Sequence, residues 1–234
     1  MVVDFHTHIL PGIDDGSKTV EESIGMLRME AAQGISDIVA TPHFYARYDD
    51  PDHFLQKRDH AERLLRQEME KYPDLPKLTM GAEVYFFRGM SECEFLPRLT
   101  IGTESCILIE MPQTHWSEEM YRELAGIWEK QRLLPIIAHV DRYLGGFRSH
   151  KILQHLAELP VFVQANADFF LDRATAAMAM RMLKTDQIQL LGSDCHNIND
   201  RKPNLGEAVQ RIEKKLGSAV LETVRSYESK VLGV

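Results

Sequence analysis

Seven short apolar runs, each followed by a stretch patterned as helix, constrain the fold of this chain more than any other feature. The runs lie at 2–5, 36–42, 78–83, 105–110, 134–139, 161–166 and 188–193 (VVDF, SDIVATP, LTMGAE, SCILIE, LPIIAH, VFVQAN and IQLLGS). Continuous apolar runs of this length suit strands buried on both faces of a parallel sheet. The stretches between them carry helix signals. Val20, Ile24, Leu27 and Ala31 form one stripe, with Thr19 and Glu22 as a capping box and Gly34 as a C-cap. Residues 51–73, 117–131, 149–158 and 172–184 follow the same plan, and Gly206 to Val231 reads as two helices broken near Gly217. Such alternation yields a doubly wound sheet or a barrel. With no internal repeat, low-complexity tract or linker, residues 1–234 read as one domain.

The strand ends choose between those folds. His6 and His8 are two residues apart on a strand, so both imidazoles share a face. His43 ends the second run, Glu83 the third, Glu110 the fourth, His139 the fifth, and Asp194 with His196 the seventh. Only the sixth ends in less committed groups, Gln164 and Asn166. Any one such residue is more often an ordinary loop residue. Six of seven at the same end of one sheet point to a metal site at the mouth of a barrel.

Five histidines, two glutamates and an aspartate exceed the four ligands of a tetrahedral zinc. Two or three ions sharing a carboxylate would use them. Imidazole and carboxylate without thiolate suit manganese, iron or zinc. Closely spaced ions activate water and clamp an in-line displacement, so phosphoester hydrolysis is the leading chemistry.

Composition removes other classes. A net charge of −8 argues against nucleic acid or an anionic membrane as partner. The chain reads as lacking a signal peptide, and no apolar run approaches the roughly 20 residues of a spanning helix. Three cysteines without pairing or zinc-type spacing suggest reduced thiols and a cytoplasmic location.

The ordered residues His6-x-His8, His43, Glu83, Glu110, His139 and Asp194-Cys-His196 resemble the polymerase and histidinol phosphatase (PHP) superfamily of metallophosphoesterases. HTHILPGIDDG, ATPH, GAEVYF and SDCHNINDRKPN resemble one branch, the manganese-dependent protein tyrosine phosphatases of bacterial capsule and exopolysaccharide clusters. The resemblance implies a distorted (β/α)7 TIM-like barrel holding three Mn2+ ions, with iron or zinc as alternatives. It implies that His6, His8, Glu83 and Asp194 hold one ion. Glu83, Glu110 and His139 hold the second, and Asp14, His43 and His196 the third. Asp15 is left as a turn or capping residue. Arg142, in HVDRY where the family has HPER, and Arg201 are the implied phosphate-binding residues. A metal-activated hydroxide would attack phosphorus in line. The implied substrate is a phosphotyrosyl protein, the tyrosine-rich tail of a bacterial polysaccharide-assembly tyrosine kinase. The oligomeric state is not readable.

Rival readings rest on specific residues. Cys195-x5-Arg201 matches the skeleton of the cysteine-dependent tyrosine phosphatases, but it lacks the usual glycine and strand alternation turns Cys195 away from the site. Histidinol phosphate or another small phosphoester, a nuclease, an amidohydrolase and a non-catalytic metal-stabilised regulator are the other readings. Tyr45, Tyr48, Tyr85, Phe86 and Phe87 follow ligand-bearing runs and are candidates to pack on a tyrosyl ring. His53, His60, His150 and His155 read as solvated, and Met178, Met180 and Met182 as helix packing.

Overall fold

The computed structural model describes residues 2–102, 105–145 and 149–233. Every strand pairing in it is parallel. One sheet runs β1 (Val3–Thr7), β2 (Asp37–Ala40), β4 (Lys77–Met80). The other runs β3 (His43–Phe44), β5 (Glu83–Tyr85), β6 (Cys106–Glu110), β7 (Leu134–Ile137), β8 (Phe162–Asn166), β9 (Leu190–Gly192).

Two expected strands are each broken in two. The 36–42 run becomes β2 and β3, interrupted at Thr41 and Pro42, and the 78–83 run becomes β4 and β5, interrupted at Gly81 and Ala82. Proline offers no N–H to a ladder and glycine weakens a strand interior. Hydrogen bonds still bridge both breaks, from Gly81 N to Ala40 O at 2.8 Å and from Glu83 N to Pro42 O at 3.0 Å. Seven strand paths therefore remain. The sheet curls until its first strand meets the segment after its last: Asp194 N donates to His6 O at 2.7 Å, and His8 N to Cys195 O at 2.9 Å.

Helices α1 (Val20–Ala32), α2 (Pro51–Met69), α3 (Glu118–Gln131), α4 (Ser149–Glu158), α5 (Ala167–Leu171), α6 (Ala176–Lys184), α7 (Leu205–Leu216) and α8 (Ser218–Leu232) accompany the strands. The Thr19 hydroxyl caps α1 by accepting from Glu22 N at 3.2 Å, and Gly34 and Gly217 take the left-handed φ of +80° and +83° that end a helix. The short α5 was not legible in the sequence, and α6 begins at Ala176 rather than 172. Among the described residues no helix is long and apolar enough to cross a membrane.

The core has two layers, and strand alternation sorts residues between them. On β6, Ile107 and Ile109 join the large cluster with Leu27, Ile38 and Leu65, while Leu108 joins Phe5, Val39, Ile136 and Leu190 in a second, inner cluster. Glu110 is in phase with Leu108, so β6 ends with a carboxylate on the inward face.

Candidate metal centre

The centre lies where the inward faces of the strands run out. On β1 the register against β2 shifts between Asp4 and Thr7, an irregularity of the kind that re-aims side chains. His6 and His8 are both buried, with their Nε2 atoms 3.1 Å apart. Each ring is fixed from behind. His8 Nδ1 donates to Asp14 Oδ2 at 2.8 Å, and His6 Nδ1 to Gln164 Oε1 at 3.3 Å. Those acceptors hold a proton on each Nδ1 and leave the two Nε2 atoms facing each other and the carboxylates of Glu83 and Asp194, where a proton or a metal ion would sit between them. Burial opposes protonating His8, yet hydrogen bonds to Asp14, Asp194 and Glu83 outweigh it and hold its pKa well above the ordinary value.

Glu83 is the hub. Its Oε2 lies 3.2 Å from His6 Nε2, 3.3 Å from His8 Nε2 and 2.9 Å from His43 Nδ1, while Oε1 lies 2.8 Å from His139 Nε2. Burial would raise its pKa, but the charge of His6 and the close imidazoles of His139, His43 and His6 hold it well below the carboxylate range. Glu110, 3.7 Å from His139 Nε2, is pushed the other way, by burial and then by the charge of Glu83. Despite this crowding, Glu83 Oε2, His43 Nδ1 and His196 Nε2 are buried without a well-formed hydrogen bond. Converging buried donor atoms left unsatisfied are what a cation would coordinate. The residues fit a metal.

A further group forms beside the hub. His8, Asp15, His43 and His196 offer ligand atoms all within 4.8 Å of one another, as do His6, His8 and Asp194, and His43, Glu83 and Glu110. Asp15 Oδ1 is 3.4 Å from both His43 Nε2 and His196 Nε2. The GIDDG turn thus brings both of its aspartates to the cluster. Asp14 is occupied as an orienting group, accepting from His8 Nδ1, from His43 N at 3.0 Å and, through Oδ1, from Gly16 N at 2.9 Å. Asp15, expected as the turn residue, reaches the cluster as well.

Arg142 and Arg201 converge on one carboxylate at the rim. Arg142 Nη2 contacts Asp194 Oδ2, and Arg201 Nη2 donates to Asp194 Oδ1 at 2.9 Å. Both keep part of the guanidinium side chain open to solvent, 31% and 41% exposed. The HVDRY departure does not turn Arg142 away, because β7 stops at Ile137 and His139 takes a left-handed φ of +33° before a short 3-10 helix over Val140–Tyr143. Asp194 also has a positive φ, +56°. Strained backbone of this kind clusters at functional sites.

The sixth strand orients the others. Gln164 Oε1 accepts from His139 N at 2.6 Å as well as from His6, and Asn166 Nδ2 donates to Asp194 Oδ2 at 3.1 Å. A Cβ on Gly192 would sit 2.7 Å from His6 Cβ and 2.8 Å from Gln164 Nε2, so the backbone approaches there as only glycine allows. Tyr143, not singled out from the sequence, brings its hydroxyl to 3.2 Å from His139 Nδ1. Its signal was the spacing of four residues from His139, one turn of helix.

Cys195 lies outside the cluster, as strand alternation predicts. Its Sγ is 3.9 Å from Glu30 Oε1, and burial, followed by the charges of Glu30 and Asp4, pushes its pKa well up. A buried thiol held protonated is no nucleophile. Of the histidines read as solvated, His155 is instead stacked on Tyr121 with ring centroids 4.2 Å apart.

Comparison with known proteins places the chain among named relatives. Tyrosine-protein phosphatase YwqE of Bacillus subtilis (strain 168) is 28% identical over 227 residues, covering 93% of this chain and 86% of that protein. Tyrosine-protein phosphatase CpsB of Streptococcus pneumoniae is 27% identical over 232 residues, covering 93% and 92%. A crystal structure from work on YwqE and CpsB, described as unique metal-dependent tyrosine phosphatases, superposes with a TM-score of 0.86 at 26% identity, over 99% of this chain and 94% of that one. An amidohydrolase at 13% identity and a TM-score of 0.53 shares the fold alone. The profile of one family, "Capsular polysaccharide synthesis, CpsB/CapC", matches residues 2–232, and the chain belongs to that family.

Proposed function

We propose that this protein is a metal-dependent protein tyrosine phosphatase acting in capsule or exopolysaccharide synthesis. One observation carries the reading: a buried cluster of imidazoles and carboxylates with unsatisfied donor atoms lies directly beneath two half-exposed arginines. Its relatives bear the name tyrosine-protein phosphatase, and the superposed structure is called metal-dependent.

In this reading residues 1–234 form one domain, a distorted (β/α)7 PHP barrel, supported by the seven strand paths and the meeting of β1 with the segment after β9. His6, His8, Glu83 and Asp194 hold one ion, Glu83, Glu110 and His139 a second, and His43 and His196 a third with Asp14, or with Asp15, whose carboxylate also lies beside both imidazoles. Manganese suits this oxygen and nitrogen donor set, with iron or zinc as substitutes. The bound metal would supply positive charge against the phosphoryl oxygens and acidify an attacking water. The chain's own residues do the rest. Arg142 and Arg201 bind phosphoryl oxygens bidentately and offset the charge gained in the transition state. Gln164, Asn166 and Asp14 keep the ligands aimed. A phenol with a pKa of about 10 departs without a strong general acid. The substrate class is a phosphotyrosyl protein, and a cytoplasmic tyrosine kinase tail of the polysaccharide machinery fits that class. Three cysteines that form no disulfide suit a reducing compartment.

The test is hydrolysis of a phosphotyrosyl peptide by chelator-stripped protein, before and after manganese is added. Activity restored only by metal is the expected result. Metal-independent turnover would overturn the reading, and inactivity on the peptide with activity on histidinol phosphate would move it to small phosphoesters.

A further inference from the structure

The aromatic residues that follow the ligand-bearing strands part company in the structure. Tyr48 is 77% exposed beneath the Arg47 guanidinium, Phe86 is buried in the outer core, and Phe87 stacks on Phe95. Tyr45 and Tyr85 alone among the five lie over the cluster.

Their place follows from register. β3 and β5 pair His43 with Glu83 and Phe44 with Val84. Phe44 and Val84 are fully buried in the outer core, so their neighbours on either side face inward. His43 and Glu83 accordingly meet in the cluster, with His43 Nδ1 2.9 Å from Glu83 Oε2. Two residues on, Tyr45 and Tyr85 occupy the same face one step nearer the mouth. Their ring centroids are 5.6 Å apart, and Tyr45 is 5.4 Å from the His43 ring. Both rings are half-buried. In sequence this is a repeated pattern, H-F-Y and E-V-Y: a ligand, an outward apolar residue, a tyrosine.

We propose that Tyr45 and Tyr85 form the wall that receives the aryl ring of the substrate and so select aryl over alkyl phosphate esters. This deepens the phosphatase reading and rests on it. A phosphoryl group drawn to the cluster and to the two arginines leaves its ester group pointing outward, into the tier these rings occupy. Aromatic rings attract one another edge-to-face or offset at centroid separations of about 4.5–7 Å, and an alkyl group offers no such face. The ring, and not the hydroxyl, is the selecting element.

The test compares wild type with Tyr45→Leu, Tyr85→Leu, Tyr45→Phe and Tyr85→Phe, each loaded with manganese and checked for metal content and melting temperature. Two ratios are read: kcat/KM for a phosphotyrosyl peptide over glycerol 2-phosphate, and affinity for phenylphosphonate over methylphosphonate by titration calorimetry. Leucine variants are expected to lower both ratios about tenfold, through KM in the kinetic one, as a lost aromatic contact does. Phenylalanine variants are expected to restore them. Unchanged ratios, or losses equal for aryl and alkyl ligands, would overturn the wall. If metal-loaded wild type failed on the peptide, the phosphatase reading would fall, while the phosphonate ratios would still decide whether the two tyrosines select an aryl group.

Discussion

Two tiers of the same curled sheet face inward, and they have opposite chemistry. Toward the start of the strands Val3, Phe5, Val39, Leu108, Ile136 and Leu190 form a dry plug, joined by Val231 from α8. Toward the end, on the same faces or in the turns just beyond, stand His6, His43, Glu83, Glu110, His139 and Asp194. Two glutamates show what the difference does. Glu83 is 1% exposed and Glu228, on α8 at the other end, is 4% exposed. Burial raises the pKa of both. Around Glu83, imidazoles reverse that effect and keep it ionised. Glu228 has chiefly the Val3 N–H at 3.2 Å, with Arg225 helping and Asp37 opposing, and it is pushed up from 4.5 to about 7. Two buried glutamates are thus pushed in opposite directions, Glu83 toward the carboxylate and Glu228 toward the protonated acid. The apolar tier holds the strands rigid, and the polar tier uses that rigidity to keep unsatisfied groups converged.

Substitutions in the two tiers should separate activity from stability. Glu83→Gln removes the carboxylate charge at the hub of the cluster and is expected to lower kcat/KM about a thousandfold, roughly 4 kcal/mol of transition-state stabilisation, with a fall in bound metal. Near-normal metal content and turnover would break the comparison. Leu108→Ala, one tier below, should lower unfolding free energy by about 2–5 kcal/mol in denaturant titrations while the folded fraction keeps its kcat. A selective loss of kcat would mean the plug is part of the chemistry.

Glu228→Gln should act through pH. The folded chain holds the Glu228 proton up to about 7, whereas the unfolded chain releases it near 4.5. Between those values the native state binds more protons, so this residue makes stability fall as pH rises through the window. The variant is expected to remove about 2 kcal/mol of that fall, read as the difference between wild-type and variant unfolding free energies at pH 5 and pH 8. Parallel pH profiles would show that Glu228 ionises freely. The smallest effect belongs to Asp14→Asn, which keeps the shape but weakens the orienting bond to His8. Metal affinity should drop about tenfold, the cost of disturbing an outer hydrogen bond to a ligand. A complete loss of metal would instead make Asp14 a direct ligand.

Much of this was legible in the chain before folding. Periodicity is local, so the apolar runs announced parallel strands, and the same-face rule put His6 with His8 and turned Cys195 from Asp194 and His196. The order of ligand-type residues at the strand ends announced the chemistry. What periodicity cannot carry was decided by tertiary structure. In GIDDG neither aspartate has a strand or helix face to obey. The bonds of Asp14 to His8, His43 and Gly16, all brought by folding, leave Asp15 free to reach His43 and His196. Gln164 read as uncommitted because its partners His6 and His139 lie on other strands, 158 and 25 residues away. The pairing of Tyr45 with Tyr85 likewise needed the register of β3 on β5. Local sequence sets which way a side chain points along its own element. Which groups it then meets depends on contacts between segments far apart in the chain, and those exist only once the sheet has curled.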